Sequence, residues 1–236
     1  MAHFLRRSLH LMALLCLLSL HGQQLESSPE EFLTEIRRPL GQDVWGEITG
    51  RITHVADGQA QLSGDLRVRV TFSSGTLHAQ IVLNDKNVYG FEQKHAPGEA
   101  VSTSLSKPET ESAPGLFAFG LEPEDLTFSF LYWDFLEELP PQKSRMRVCR
   151  VMKLAHPDGK GIVQVWFDAE LGFPLEAWWF KTGETTPWRK LEMKGAKKHA
   201  NGLWFVREMR LDGNGWKTRV IFDFASLNEV GNAKRQ

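Results

Sequence analysis

The sequence predicts a mainly β protein with a few helices, an α+β chain built on antiparallel sheet, and three observations carry that prediction. Apolar runs of strand length, rich in Val, Ile, Phe and Trp, recur from Val44 to Phe224 and are separated by short Asp-Gly, Asn-Gly and Ser-Ser-Gly turn signals. The stretch Gly161 to Lys181, GIVQVWFDAELGFPLEAWWFK, reads as a β-hairpin, because two such runs flank an Asp- and Gly-bearing turn from Asp168 to Gly172. Helical spacing is confined to two stretches, one near Pro29 to Ile36 and one from Leu121 to Leu139.

At the N-terminus, a basic start (Arg6, Arg7) precedes an apolar run from Leu9 to Leu20 and then polar Gln23 and Gln24. That is the layout of a secretory signal peptide, too short to span a membrane, so export and removal of residues 1–22 are expected. Cys16 is preceded by Leu15 rather than a small residue and followed by further apolar residues, which argues against lipid attachment there. Ser27 and Ser28 before Pro29, Glu30 and Glu31 supply an N-cap, a first-turn proline and acids at the positive end of the dipole, so a short helix should begin here with Phe32, Leu33 and Ile36 on its apolar side.

Period two then takes over. Val44 to Val55, Leu62 to Phe72, Leu77 to Leu83 and Val88 to Gln93 are predicted strands; in the second, Leu66, Val68, Val70 and Phe72 alternate with Arg67, Arg69 and Thr71, which gives one dry and one wet face. Ala96 to Gly115 shifts to Pro, Ser, Glu and Thr and is expected as a loop between two halves. In Leu121 to Leu139 the acids Glu124 and Asp125 follow Pro123, apolar residues recur near helical spacing, and Pro140-Pro141 should stop the run. Such a helix would be apolar nearly all round and buried between layers. Six more strands follow: Met146 to Leu154, the two arms of the hairpin, Trp188 to Lys194, Leu203 to Leu211 after Asn201-Gly202, and Trp216 to Phe224 after Asp212-Gly213. Both hairpin arms carry apolar residues at odd and even positions, so something must cover at least one of their faces. Residues 23–228 are expected as one domain and 229–236 as a loose polar tail.

Composition narrows the function. Without Arg6 and Arg7 the chain holds 26 basic and 29 acidic side chains, an excess of three acids with no basic stripe, so nucleic acid is not an expected partner. Cys149 is then the only cysteine, which rules out an intrachain disulfide; set among Val148, Val151 and Met152, it reads as a small core residue. His54, His78, His95, His156 and His199 stand apart with no metal-ligand spacing, and no nucleophile elbow, phosphate loop or dinucleotide fingerprint occurs, so neither metal, cofactor nor catalytic residue is predicted. Glu122, Glu124, Asp125, Asp134, Glu137 and Glu138 read as a helix first turn and its wet edge rather than a catalytic pair. Lys194, Lys197, Lys198 and His199 form a basic hairpin tip that reads as solvated. Seven of the eight tryptophans fall between Trp133 and Trp216; a sheet core alone can absorb many of them, and a ligand-accommodating cavity is the alternative, since with one buried face the adjacent Trp178-Trp179 and Trp204-Phe205 pairs would leave indoles in water.

The order of EPEDL, a strand with Cys149, VWFD, FPLEAWWF, NGLWF and WKTRVIF resembles the outer-membrane lipoprotein-sorting protein family, and within it proteins similar to the periplasmic lipoprotein carrier, over roughly Leu121 to Phe224. The resemblance implies a strongly curved antiparallel sheet, an incomplete barrel whose concave side is covered by helices, in a monomeric periplasmic protein that makes only peripheral membrane contact. The carrier's Arg-Pro-x-x-Phe-Arg type segment has no counterpart between Val44 and Gln93, so no role passes to Arg67 or Arg69. The implied function is non-enzymatic shielding of acyl chains of a lipoprotein or lipid; the alternative is an envelope structural or signalling module with a self-filled cavity that binds a protein partner. If Asp168 lies opposite Phe173, the pleat assigns Val163, Val165, Phe167, Trp178, Phe180, Leu191 and Met193 to the cavity face, with Phe128, Leu131, Tyr132 and Phe135 closing it from the helix; a one-residue slip would send Ile162, Trp166, Leu175 and Trp179 inward instead.

Overall fold

The computed structural model describes residues 27–37, 44–73, 75–95, 101–198 and 204–229. The expected export segment with Cys16, the Asn201-Gly202 turn, His199 and residues 230–236 lie outside them.

The first helix, α1 (Pro29–Ile36), forms where the sequence places it: the Ser28 hydroxyl accepts from Glu31 N at 3.2 Å while Glu31 Oε2 accepts from Ser28 N at 3.0 Å, a complete capping box. Twelve strands follow: β1 (Val44–Ala56), β2 (Leu62–Ser73), β3 (Thr76–Leu83), β4 (Asn87–Lys94), β5 (Ser102–Ser106), β6 (Asp134–Ser144), β7 (Arg147–Ala155), β8 (Gly161–Asp168), β9 (Pro174–Lys181), β10 (Arg189–Lys198), β11 (Trp204–Gly213) and β12 (Trp216–Glu229). They form one open antiparallel sheet in the order β5-β4-β3-β2-β1-β12-β11-β10-β9-β8-β7-β6. The chain therefore starts at the centre, walks out to the β5 edge, crosses to the opposite edge at β6, and walks back until β12 pairs with β1.

That edge-to-edge crossing is the segment between β5 and β6. It contains a 3₁₀ turn, Leu116–Phe119, the short helix α2 (Pro123–Thr127), and a second 3₁₀ turn, Ser129–Tyr132. Its side chains merge with one face of the sheet into a single core: Leu116, Phe119, Phe130 and Trp133 pack with Ile52, Val68, Ile81, Met152, Val165, Leu191 and Val220, joined by Phe32 and Leu33 of α1. Each such side chain contributes roughly 1.5–3 kcal/mol on burial, so the crossing is held as an integral layer rather than as a loop. We call it the plug.

Three expectations are corrected here. The single helix from Leu121 to Leu139 does not form, because Phe128 adopts a left-handed conformation (φ 54°) that ends α2, and the chain is extended from Asp134. Thr127, Phe128 and Phe130 are weak helix formers, and pairing with β7 overrides the spacing that suggested a helix. Pro140 and Pro141 consequently lie within β6, in the bulge between Leu139 and Gln142, where an edge strand tolerates two missing donors. The loop expected from Ala96 to Gly115 contains β5, which pairs with β4 although all five of its residues are exposed. Third, the cavity face of β9 is shifted by one residue, as described below.

Candidate functional site

The inner face of the sheet follows from its register. Val163, Val165 and Phe167 of β8 stand beside Leu154, Met152 and Arg150 of β7, and Leu191 and Met193 of β10 beside Leu211 and Met209 of β11. All five predicted residues of β8 and β10 are buried in the common core, together with Leu131 and Tyr132 of the plug, while Phe128 and Phe135 are half-buried at its margin.

Trp178 and Phe180 do not share this face. Asp168 N does bond the Phe173 carbonyl at 2.9 Å, as the hairpin reading requires, but a bulge at Leu175 then adds one residue to β9, so that Val165 opposes Ala177 and Val163 opposes Trp179. One extra residue exchanges the two sides of a strand, which turns Ala177 and Trp179 inward and Trp178 outward. Trp178 packs at a tilt on Trp166, with centroids 4.5 Å apart, against a small second cluster of Cys149, Val151 and Trp166 on the other face. Burial there pushes the Cys149 thiol pKa up, as suits a packing residue. The residues the sequence reading missed are Leu116 and Phe119, for which the apolar LFAF run after Pro114 was the available signal; Phe130 and Trp133 belong to the helical spacing expected in this stretch and join the same core.

The plug is tied down along its length. Tyr89 Oη accepts from Leu116 N at 2.8 Å, and the Asn87 amide donates to the Ser112 carbonyl at 2.6 Å. Thr218 donates to the Phe119 carbonyl from β12. Arg37, just beyond α1, donates from Nε to the Leu131 carbonyl at 2.8 Å and from Nη2 to the Trp133 carbonyl at 2.7 Å. In the middle, fully buried Asp125 accepts from Arg189 Nη1 of β10 at 3.0 Å and from Glu122 N at 2.8 Å. Burial raises the Asp125 pKa, and the nearby guanidinium opposes that shift.

Beside this ion pair the fold opens. A cleft of about 460 Å³, within the ~300–1,000 Å³ range of small-molecule sites, lies between the start of α2 and the ends of β8, β9 and β10. Trp133, Trp179, Trp188, Ile162 and Phe180 form its apolar walls, so Phe180 contributes at the mouth rather than in the interior. Its polar lining mixes the acids Glu122, Glu124 and Asp158 with His156, Lys160, Lys181 and Arg189. The Arg189 guanidinium sits 4.3 Å from the Trp179 ring centroid and 5.0 Å from that of Trp188.

The electrostatics are uneven. Glu124 is pushed up to about 7 by burial, with the adjacent Asp125 and Glu122 carboxylates adding to the shift; burial also raises Glu122. Burial lowers the His156 pKa, the Asp158 carboxylate against its Nδ1 opposes that shift, and the ring packs on Trp133 at 4.4 Å between centroids. Three buried atoms here have no hydrogen-bond partner: Trp133 Nε1, Arg189 Nε and Asp125 Oδ1. Among the described residues no group of His, Cys, Asp and Glu is arranged to hold a metal ion.

An open antiparallel sheet whose two edges are linked by a plug across one face defines the class. In that fold the chain is similar to a DUF1329 family protein from Desulfovibrio piger (TM-score 0.67, 13% identity, covering 86% of this chain and 92% of that one). It is also similar to an outer membrane lipoprotein-sorting protein domain from Vibrio parahaemolyticus (0.59, 13%, 88% and 96%) and to a LolA superfamily protein from Nitrosomonas europaea (0.58, 13%, 86% and 93%). No protein-family model and no curated protein sequence matches the chain.

Proposed function

We propose that this protein is a non-enzymatic carrier of the bacterial periplasm that shields acyl chains of a lipid or lipoprotein against the inner face of its sheet. One observation carries this reading: an apolar face extending from β2 to β8 is covered by the plug together with α1, and that cover ends at an aromatic cleft open to solvent. The fold shared with a lipoprotein-sorting domain supports it. Because the plug fills the face, a chain enters by displacing plug side chains, with Trp133 and Trp179 at the entrance. Each methylene transferred from water contributes about 0.8 kcal/mol, so part of one acyl chain replaces several plug contacts. Val163, Val165, Phe167, Leu191 and Met193 line the path on the sheet, and Leu131 and Tyr132 yield on the other side.

The test uses a fluorescent fatty-acyl probe and two variants on opposite faces. Val165→Asp should abolish probe binding while Thr71→Asp, at an exposed position of β2, should leave it unchanged; circular dichroism checks that both variants fold. Probe binding that survives Val165→Asp in a folded protein removes the inner face as the acyl site. The self-filled core also suits a second reading, an envelope module that binds a protein partner. Organic extracts of gently purified protein separate the two: the carrier yields stoichiometric lipid and the module none.

A further inference from the structure

The cleft carries polar groups that an acyl chain does not use, and their signs are mixed. Glu122, Glu124 and Asp158 line it together with Lys160, Lys181 and Arg189, three acids and three bases, so an ion of either sign entering it meets like charge as well as opposite charge. Several of these charges are already matched within the protein: Arg189 pairs with Asp125, and Asp158 with His156 and Lys160. A charged ligand would compete with those pairs, and the desolvation of its own charge counts against it.

The same lining suits hydroxyls. A hydroxyl donates to a carboxylate and accepts from an ammonium without bringing a charge of its own. Glu122 and Glu124 are half-buried and burial raises both carboxyls; Glu124, at about 7, is protonated about half the time near neutral pH and then donates as well as accepts. Lys181 is exposed and offers donors only. The apolar part of the lining is mostly aromatic: Trp188, 40% exposed, and half-buried Phe180 join the buried indoles of Trp133 and Trp179. A ring with C–H faces and hydroxyl edges matches a lining of indoles and polar groups of both signs.

We infer that the cleft binds a neutral saccharide, a pyranose laid against Trp188 with its hydroxyls shared among Glu122, Glu124 and Lys181. The assignment rests on the carrier reading for the acyl part and names the headgroup class of the lipid, a sugar without charge; a free saccharide presents the same chemistry. An anionic headgroup would set its charge against Glu122 and Asp158, and a cationic one against Lys160 and Lys181, whereas a sugar meets neither penalty.

Titration calorimetry of the full chain with decyl maltoside, decyl phosphate and decyltrimethylammonium, all below their micellar concentrations, tests this. The maltoside should bind about tenfold more tightly than either charged lipid, a difference of about 1.4 kcal/mol. Trp188→Ala should bring the maltoside to the level of the other two, and Trp188→Phe, which keeps an aromatic face, should restore most of the preference; circular dichroism checks that both variants fold. Equal affinity for the three lipids, or a preference that survives Trp188→Ala, overturns the saccharide assignment and leaves acyl carriage standing. Failure of all three to bind overturns both readings. Maltose alone binding as tightly as decyl maltoside would keep the sugar chemistry and remove a lipid as its source.

Discussion

Asp125 and Arg189 show how a few atoms decide whether the plug stays seated. Both are almost wholly buried, so removing one leaves the other charged and unpaired in the core. Asp125→Ala should cost about 3–5 kcal/mol, read as a lower denaturation midpoint, while Asp125→Leu/Arg189→Met together should restore most of it, since an uncharged pair owes no desolvation. Gly120 is a second control point: it lies at φ 67°, and a Cβ there would stand 2.8 Å from a ring carbon of Trp216. Gly120→Ala should destabilise by more than the ~1 kcal/mol of the left-handed conformation alone, because the indole must also move. Glu124 gives the pH dependence. Its folded pKa of about 7 lies above the ordinary 4.5, so the folded chain holds the extra proton between those values and stability falls as pH rises through that window. Unfolding midpoints at about pH 5 and about pH 8 should differ in that direction, and the difference should shrink in Glu124→Gln.

Among the elements, the plug and β6 bear directly on function. The C-terminal end of the plug is held by charge-assisted bonds from Arg37 to the carbonyls of Leu131 and Trp133, and such bonds are worth roughly 1.5–3 kcal/mol each. Arg37→Ala should therefore raise hydrogen exchange of amides 129–133 by tenfold or more while β1 and β12 stay protected; uniform exchange would show that the plug does not open separately from the sheet. β6 is an edge whose hydrogen-bonding rim is interrupted by Pro140 and Pro141, with Leu136 left 51% exposed. Prolines at an edge prevent another chain from extending the sheet, so replacing both by Thr should raise self-association in light scattering.

At the scale of the whole molecule, the order of strands sets what can be lost. β12 pairs with β1 on one side and β11 on the other, so the first and last strands together join the two halves of the sheet. Deleting residues 216–229 should abolish cooperative folding, while deleting the exposed edge strand at 102–106 should leave a folded protein of slightly lower stability. Thermal unfolding followed by circular dichroism separates these outcomes. The same path explains the plug: a chain that builds one half-sheet outward and the other inward must cross from edge to edge, and the apolar LFAF and SFLYW runs lie in that crossing.

The sequence by itself determined the repetition of strands, the capping box of α1, the wet and dry faces of β2 and the inner positions of β8 and β10, because alternation, turn chemistry and caps are local properties. It also marked Leu121 to Leu139 as apolar nearly all round, and the part up to Trp133 is buried while Asp134 to Leu139 lies at the exposed edge. Tertiary pairing alone decided that the second part of this stretch is a strand, since the partner that satisfies its backbone, β7, lies in a later part of the chain. The Leu175 bulge is likewise invisible in the pattern: both faces of β9 are apolar, so a slip of one residue costs the alternation nothing, and cross-strand packing on Val163 and Val165 chose Trp179 over Trp178 for the interior. The cleft arose in the same way. Glu122, Trp133, Lys181 and Arg189 meet only because the crossing plug and three returning strands end at one place, and the buried N–H groups of Trp133 and Arg189 left there without acceptors are a property of that meeting rather than of any segment.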